Sequence, residues 1–361
     1  MAESTIHDIA RRLDVSATTV WRAINNRPRV SLHTRTRVLA EVQRVGYQPS
    51  LVAQNLAQGR TQTLGVVVPT VRNSVHAALV RAAEQAAFDR DYNIVLCDTD
   101  FNLDRELKYL DLLVRRRVEG VLLVPFAKGM RSDEARLDRF KQAGIAVVCM
   151  QQCLAGTEVP QVVPDNFCAA REMTRHLIWL GHRRIAFMHG GLSPWFASMN
   201  ERLEGYRAAL EEADLPVDPE LIVEAGTFES ILPDDEEGGG VFHAKRLESL
   251  LRQKSRPTAV FAVVDVLAIK LMSLARSIGM RVPEDLAVAG FDNIQMSAFT
   301  EPPLTTVRHP ATEVGQRAAE LLFKTLAGKG SSGNGSVIER VPCELIIRRS
   351  CGATGKPTVI A

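Results

Sequence analysis

Between residues 63 and 290, short apolar segments alternate regularly with segments of helical spacing. Short apolar, β-branched segments are typical of strands that are buried on both faces. Strands are predicted at 64–69, 93–96, 120–124, 146–149, 184–188, 221–223, 259–262 and 286–289, and helices at 75–88, 103–115, 132–142, 167–179, 201–212, 242–253 and 265–277. Strict alternation predicts parallel sheets covered by helices. Because the alternation forms two series that meet after Asp165, we expect two α/β lobes, with ligands bound outside the carboxyl ends of the strands.

The first 60 residues show a different pattern, with three short helices. Apolar residues at helical spacing give each helix one inner face. These residues are Ile6, Ile9, Ala10 and Leu13, then Val20, Ala23 and Ile24, then Val38, Leu39, Val42 and Val45. Ser16 and Ser31 are placed to cap the second and third helices, and Gly46 ends the third. Three such helices predict a helix-turn-helix module, whose second helix enters the major groove of DNA.

The charge of the chain is unevenly distributed. Residues 1–60 contain nine arginines and no lysine, against four acidic residues, which gives a net charge of +5. The rest of the chain has 35 basic and 38 acidic residues, which gives −3. A small basic head on a mildly acidic body is expected of a protein that meets a polyanion at one end. The alternative is a basic surface helix without a partner.

The second helix and the helix ends supply the candidate DNA contacts. Ala17, Thr18, Trp21 and Arg22 are predicted to reach base edges, and Arg22 can donate two hydrogen bonds to O6 and N7 of guanine. Polar side chains at helix ends suit phosphate oxygens. The predicted phosphate contacts are Thr5, Ser16, Thr19, Asn25, Ser31, Thr34 and Tyr47. For each short polar side chain the alternative is a helix cap, which the sequence favours equally.

These segments resemble the LacI/GalR family of bacterial transcription regulators. In the head the resemblance rests on Thr5-Ile6-x-Asp8-Ile9-Ala10, Val15-Ser16-x-x-Thr19-Val20-x-Arg22-x-Ile24-Asn25, Val30-Ser31-x-x-Thr34-Arg35-x-x-Val38 and Gly46-Tyr47-x-Pro49. In the body it rests on Val163-Pro164-Asp165-Asn166, Gly181-His182-Arg183-Arg184-Ile185, Arg202-Leu203-x-Gly205-Tyr206, Gly290-Phe291-Asp292-Asn293 and Pro303-Leu304-Thr305-Thr306-Val307. The resemblance implies a homodimeric repressor that binds a near-palindromic operator in double-stranded DNA. It also implies an all-α head and a body of two doubly wound parallel-sheet lobes, like a type I periplasmic sugar-binding protein.

One position of the recognition helix departs from the family. Trp21 stands where the family usually has Ser, so a small polar contact is replaced by a large ring. The replacement predicts an altered operator preference.

Residues 49–62 are predicted as a hinge helix and linker. Pro49 suits the start of a helix. A helix of only two turns is marginal alone, because nucleation costs more than two turns return. By resemblance, the hinge helices of a dimer pair in the minor groove, where Ala53 and Leu56 contact the DNA and Leu56 wedges between base steps. The alternative is that Leu56 packs on the body.

By resemblance, the cleft between the lobes holds a small-molecule effector, with a sugar or sugar derivative favoured. Arg202 and Asp292 are its paired polar anchors, a chemistry suited to polyols or to a carboxylate-bearing ligand. The full predicted set is Ser74, His76, Gln152, Asp165, Arg202, Phe228, Asp265 and Asp292. His76 stands where the family has an aromatic residue, and its alternative is a partly exposed helix position. Gln151-Gln152 stand where many relatives have Asp-Arg.

Other classes of function are disfavoured. The six cysteines lack zinc spacing, so free thiols are expected, with no metal or cofactor. The sequence shows no signal peptide and no apolar run of membrane length, and a cytoplasmic protein without a membrane partner is expected. It also shows no nucleophile elbow and no nucleotide-binding loop, so we expect no enzyme. The alternatives are an architectural DNA-binding protein without a ligand, and an enzyme acting in the cleft.

The expected domains follow from these segments. They are a DNA-binding domain at 1–48, the hinge at 49–62, the bilobal body at 63–352 and a tail at 353–361, with lobe crossings near 163, 292 and 325. The acidic, glycine-rich segment 229–240 predicts a solvated loop. The tail carries no leucine heptads, so no tail-made tetramer is predicted.

Overall fold

The computed structural model describes residues 5–47, 60–125, 137–154, 157–191, 197–226, 242–328, 337–353 and, for the backbone alone, 358–360. The chain divides into two compact units, Met1–Thr61 and Gln62–Ala361, which we call the head and the body. Three of the predicted site residues, Ala53, Leu56 and Phe228, lie outside the described residues, as does the acidic loop 229–240.

The head has the three predicted helices, α1 (Ile6–Leu13), α2 (Ala17–Ile24) and α3 (Leu32–Val45). Each begins at a hydroxyl-bearing cap, because an oxygen acceptor satisfies amides of the first turn. The caps are Thr5, Ser16 and Ser31. α3 ends at Gly46, whose φ of +63° favours glycine. The buried core consists of Ile9, Ala10, Val20, Ala23 and Val38.

The first lobe of the body is built on a six-stranded sheet. Its strands are β1 (Thr63–Val68), β2 (Asn93–Asp98), β3 (Gly120–Leu123), β4 (Ala146–Met150), β5 (Gln161–Pro164) and β11 (Ile338–Val341). All pair in parallel, in the order β11-β5-β4-β3-β1-β2. Helices α4 (Ser74–Phe88), α5 (Leu103–Arg115) and α10 (Ala311–Leu326) cover it. Val66 packs with α4 and α10, whereas Val67 packs with α5, so both faces are buried as predicted.

The second lobe is built on a seven-stranded sheet. Its strands are β6 (Ile185–His189), β7 (Ile222–Glu224), β8 (Ala259–Ala262), β9 (Ala287–Asp292), β10 (Thr305–Arg308), β12 (Glu344–Ile347) and β13 (Thr358–Ile360). The order is β13-β12-β10-β9-β8-β6-β7, and β12 alone among these strands runs opposite to the others, so its pairings with β10 and β13 are antiparallel. The helices are α6 (Asn166–Trp179), α7 (Ala197–Glu212), α8 (Ala244–Leu251) and α9 (Asp265–Ser277). In each lobe the first five strands follow the doubly wound order 2-1-3-4-5.

The chain crosses between the two sheets three times, at 164–166, 308–311 and 341–344. The first crossing lies close to the expected position near 163, but the second and third lie later than 292 and 325. They are displaced because β10 extends the second sheet beyond β9, and because α10 and β11 return to the first lobe. Neither β10 nor α10 was predicted. α7 also begins earlier than predicted, at Ala197.

Helix α7 packs tightly on α6, and this contact fixes the position of Arg202. Gly205 allows the close approach, because a Cβ there would lie 2.3 Å from the backbone oxygen of Phe167. The close contact brings Arg202 of α7 beside Asn166, the first residue of α6.

Candidate DNA-binding surface and effector site

The outer face of α2 carries three of the four predicted base-contacting residues, Thr18, Trp21 and Arg22. Val20 and Ala23 point into the head core, which leaves the opposite side of the helix for the others. Thr18 is exposed, whereas Trp21 and Arg22 are half-buried and Ala17 lies at the margin of the core. The face therefore combines an exposed hydroxyl, a large ring and a guanidinium on one surface.

The predicted phosphate contacts mostly serve as caps. The Ser16 hydroxyl accepts from the amide of Thr19 at 3.0 Å, and the Ser31 hydroxyl accepts from the amide of Thr34 at 3.1 Å. Thr5 forms a capping box with Asp8. The remaining two are Asn25, which donates to the Trp21 carbonyl, and Tyr47, which is half-buried against the head core. The cap alternative is thus realised for Thr5, Ser16 and Ser31. The Thr5 hydroxyl also donates to Asp8, whereas a capping serine hydroxyl can still donate a hydrogen bond to a phosphate oxygen.

Arg35 shapes the loop between α2 and α3, a role that was not predicted from the sequence. Its guanidinium donates to the Asn26 side chain and to the Arg27 carbonyl at 2.8 Å. Asn26 and Arg29 have φ of +51° and +69° in this loop. The contact joins residues eight and nine positions apart in the sequence, so no helical or strand period marks it.

Arg202 is a buried cation at the centre of the body. Only 3% of its surface is exposed. Its Nε donates to Oδ1 of Asn166 at 2.9 Å, and Nη1 donates to the Val263 carbonyl at 2.6 Å. Its guanidinium lies 3.5 Å from the ring centroid of Phe291, and Nη1 lies 3.7 Å from Oδ1 of Asp292. Hydrogen bonds, a cation–π contact and a nearby carboxylate therefore offset the cost of burying this charge.

Asp292 is the anionic partner at the carboxyl end of β9. Its φ of +112° is a strained value for a residue with a side chain. Burial raises the pKa of Asp292 to about 6, although the charge of Arg202 lowers it. Near neutral pH the carboxylate offers acceptor oxygens that a hydroxyl-bearing ligand can use. The structure thus places the two predicted anchors together.

The first lobe contributes a buried histidine to this region. His76 is only 7% exposed, so it is not the partly exposed helix residue of the alternative. Its Nδ1 lies 2.9 Å from the Thr70 carbonyl. Burial lowers the pKa of His76 to about 4, and therefore the imidazole is neutral at pH 7.

A second histidine, His309, joins the two lobes. Its Nε2 lies 2.6 Å from Oε1 of Gln151, which follows β4. Burial lowers the pKa of His309 well below its usual value, and the charges of Arg202 and His76 lower it further. Because Oε1 is an acceptor, the neutral imidazole donates from Nε2 and leaves Nδ1 as an acceptor.

Asp265, a further predicted effector contact, is held by the protein itself at the turn after β9. It is fully buried, and its oxygens accept from the Thr306 hydroxyl at 2.5 Å and from the Ile294 amide at 2.9 Å. A Cβ at Gly290 would lie 2.2 Å from Oδ1 of Asp265, so the fold leaves no room beside it. Burial raises the pKa of Asp265 well above its usual value. Its carboxyl group holds the turn after β9.

The other predicted effector contacts differ in placement. Gln152 reaches the second lobe, where its Oε1 accepts from the Ser198 amide at 3.1 Å. Asp165 is half-buried and caps α6 by accepting from the Cys168 amide at 3.1 Å. Ser74 is exposed at the start of α4. Gln152 and Asp165 thus lie at contacts between elements, and Ser74 lies on the surface.

Two family models match the chain. Residues 5–50 match the model for bacterial regulatory proteins of the lacI family, and residues 174–351 match a periplasmic binding protein-like domain. Catabolite control protein A of Priestia megaterium is 35% identical over 89% of this chain and 92% of its own length. The chain belongs to the LacI family. It is a DNA-binding transcription regulator, as the resemblance implied.

Further relatives of this LacI-family chain cover it almost completely. The transcriptional repressor PurR of Histophilus somni is 33% identical over 96% of this chain and 98% of its own length. Among solved structures, a transcriptional regulator CelR–cellobiose complex is 28% identical over 96% of this chain and 99% of its own, with a TM-score of 0.69. The lac repressor dimer bound to operator and an anti-inducer covers 97% of this chain and 99% of its own, is 22% identical, and shares the fold with a TM-score of 0.79. These relatives are regulators, which points away from an enzyme.

Sequence reasoning on this LacI-family regulator missed four residues around Arg202. They are Asn166, Glu201, His309 and Arg340. Asn166 belongs to a motif of the family resemblance but had no predicted role. His309 and Arg340 lie at or near crossings that were predicted elsewhere, and Glu201 lies on α7, where no spacing in the sequence marks its contacts. In the described part of the chain, no helix is long and apolar enough to cross a membrane, and no three His, Cys, Asp or Glu side chains group as metal ligands. All six cysteines are free thiols.

Proposed function

We propose that this regulator is a homodimeric repressor that binds a near-palindromic operator and is switched by a small uncharged or weakly charged molecule, with a sugar or sugar derivative favoured. The observation that carries the proposal is the buried polar cluster of Arg202, Asp292, His76 and His309, to which both lobes of the body contribute. Polar groups of this kind, converging between two doubly wound lobes, are what a small-molecule site requires. The CelR structure with cellobiose supports a sugar.

The head supplies the DNA contacts in this proposal. Arg22 and Trp21 meet base edges together with Ala17 and Thr18, while the capping hydroxyls and Tyr47 meet phosphates. Two recognition helices of a dimer must lie about one helical turn of DNA, or a multiple of it, apart, so the operator has two half-sites. The hinge contacts of Ala53 and Leu56 are part of the proposal on sequence grounds alone.

The cleft supplies the switch. Asp292 accepts hydrogen bonds from a ligand, Nδ1 of His309 is a further acceptor, and Nη1 of Arg202 lies 3.7 Å from Oδ1 of Asp292. An acceptor-rich site of this composition suits hydroxyl groups. A ligand that binds one arrangement of the two lobes more tightly than the other favours that arrangement. The ratio of the ligand's two affinities sets the largest change that it can cause in DNA affinity. We propose no catalytic role for the cleft.

A thermal-shift screen tests the effector site directly. Sugars, sugar acids and nucleobases are added to the wild-type protein, because a ligand that binds the folded state raises the melting temperature. We expect a hydroxyl-rich compound to raise it, and the ligand-induced shift to be lost in Asp292→Asn. The matched control is Asp214→Asn, an exposed aspartate of the same lobe with φ of +52°, which Asn tolerates. Equal shifts in both variants would move the site away from Asp292, and a body that responds to no compound would favour the ligand-independent architectural protein.

A further inference from the structure

Arg202 contacts the first crossing of the chain directly, and its charge acts on a residue at each of the other two. Asn166 lies at the first crossing and accepts from Nε of Arg202. His309 lies at the second crossing, and the positive charge of Arg202 lowers its pKa. Cys343 lies at the third crossing; burial raises its pKa to about 12, and the charge of Arg202 opposes that rise. The crossings are the only covalent links between the two sheets in the described part of the chain, and Arg202 is hydrogen-bonded to the first of them.

Glu201, the neighbour of Arg202 on α7, links this guanidinium to the first lobe. Its Oε2 accepts from Nδ2 of Asn166 at 3.1 Å, and its Oε1 accepts from Nη2 of Arg340 on β11 at 3.0 Å. An unbroken chain of hydrogen bonds therefore runs from Arg340 in the first lobe, through Glu201 and Asn166, to Arg202. We call these four residues the crossing network.

We propose that Glu201 is a positioning residue that makes the orientation of Arg202 depend on the arrangement of the two lobes. The proposal rests on the proposed function only in taking Arg202 as an effector contact. Asn166 is the critical link, because its amide must present Oδ1 to Arg202 and Nδ2 to Glu201. A flipped amide would face the Nε–H of Arg202 with another donor. The carboxylate of Glu201 holds the amide in the correct orientation, and Arg340 holds the carboxylate.

A second contact fixes the same turn of α7 to the first lobe. The Ser198 amide donates to Oε1 of Gln152 at 3.1 Å. Amides in the first turn of a helix have no acceptor within the helix. Ser198 therefore depends on Gln152, and hydrogen exchange of its amide reports contact between the lobes. By reciprocity, a ligand that fixes Arg202 favours the lobe arrangement in which Arg340 reaches Glu201.

Arginine side-chain NMR on the full-length protein tests the crossing network without any effector. The protein is deuterated and labelled with ¹⁵N-arginine, and the Nε–H signal of Arg202 is assigned by its loss in Arg202→Lys. We expect Glu201→Ala and Arg340→Met each to shift this signal and to accelerate its solvent exchange roughly two- to fivefold, the range for losing a partly exposed ion pair. The double variant should add little to Glu201→Ala. Arg340→Lys should stay close to the wild-type signal, since it keeps a donor and the charge.

The matched control is Glu339→Gln, which removes a carboxylate from the adjacent position of β11. Glu339 pairs with Arg317, and both lie in the first lobe. This variant should leave the Arg202 signal unchanged. Mass-spectrometric hydrogen exchange should show faster exchange of the Ser198 amide in Arg340→Met but not in Glu339→Gln. An unmoved Arg202 signal in Arg340→Met would overturn the proposal, as would the same shift in Glu339→Gln. If Arg340→Met does not fold, the proposal is tested by comparing Glu201→Ala, which should shift the Arg202 signal, with Arg340→Lys, which should not. A failed ligand screen beside a positive result here would count against the effector site alone.

Discussion

Asp292 is a proposed effector contact whose buried charge opposes the stability of the fold. Its folded-state pKa is about 6, whereas an aspartate in an unfolded chain titrates near 3.8. The folded protein therefore holds the proton more tightly, so its contribution to stability falls as the pH rises from about 4 to about 6. Above pH 6 the folded protein carries the full cost of the buried charge. The difference between the folded-state and unfolded-state pKa values corresponds to about 3 kcal/mol.

Asp292→Asn should remove this cost. We expect the free energy of unfolding at pH 7 to increase by roughly 1–3 kcal/mol relative to wild type, and the difference to disappear near pH 4. Urea denaturation at several pH values measures it, with Asp214→Asn as the control that should show no such trend. A variant that is less stable than wild type at pH 7 would contradict the prediction, because it would mean that the pairing with Arg202 outweighs the burial of Asp292.

Arg22 carries the most specific prediction for the head. We expect Arg22→Ala to weaken operator binding by about 1–3 kcal/mol and to relax preference at one base pair, since a bidentate contact to guanine is lost. The operator is first selected from random DNA by the wild-type protein, and every single-base variant is then measured. The control is Arg44→Ala, whose guanidinium pairs with Glu41 on α3. An equal loss on all sequences would assign Arg22 to the phosphates.

At the scale of single elements, Ser16 combines two roles that a substitution can separate. Its hydroxyl caps α2, and it is also a proposed phosphate contact. Aspartate caps as well as serine does, but its charge repels phosphate. Ser16→Asp should therefore keep the head stable and weaken DNA binding, whereas Ser16→Ala should destabilise the head by about 1 kcal/mol. Circular dichroism and fluorescence anisotropy measure the two effects. Unimpaired DNA binding in Ser16→Asp would leave Ser16 with the capping role alone.

The helices and strands also show which parts of the fold can be predicted from short stretches of the sequence. β1 to β4 and the helices between them were predicted, because buried strands have apolar runs and surface helices have a 3.6-residue period. β11 was missed because it is the edge strand of its sheet, and its Ile338, Glu339 and Arg340 are not buried. α10 was missed because the chain returns to the first lobe before it, which breaks the alternation.

At the scale of the whole molecule, the effector region could be predicted only in part. Arg202 and Asp292 followed from the family resemblance. His309, Glu201 and Arg340 did not. Arg340 reaches Glu201 and His309 reaches Gln151 across 139 and 158 positions of the sequence, and no spacing in the sequence predicts such contacts. The crossings also bear on where the proposed effector site lies. β5 and β10 each lead into a crossing from their carboxyl ends, so the carboxyl ends of both sheets border the boundary between the lobes.

The uneven charge of the chain predicts different salt responses for its two activities. The head carries +5 and offers seven proposed phosphate contacts, whereas the effector residues Arg202 and Asp292 are buried and poorly screened. With about six to ten phosphate contacts, DNA affinity should fall roughly 10³- to 10⁵-fold between 50 and 200 mM salt. Affinity for the effector found by thermal shift should change little. Anisotropy and calorimetry on one preparation measure both. If DNA affinity does not change with salt, the arginines of the head do not face phosphates. If effector affinity falls with salt as steeply as DNA affinity does, the ligand binds an exposed, charged surface instead of the cleft.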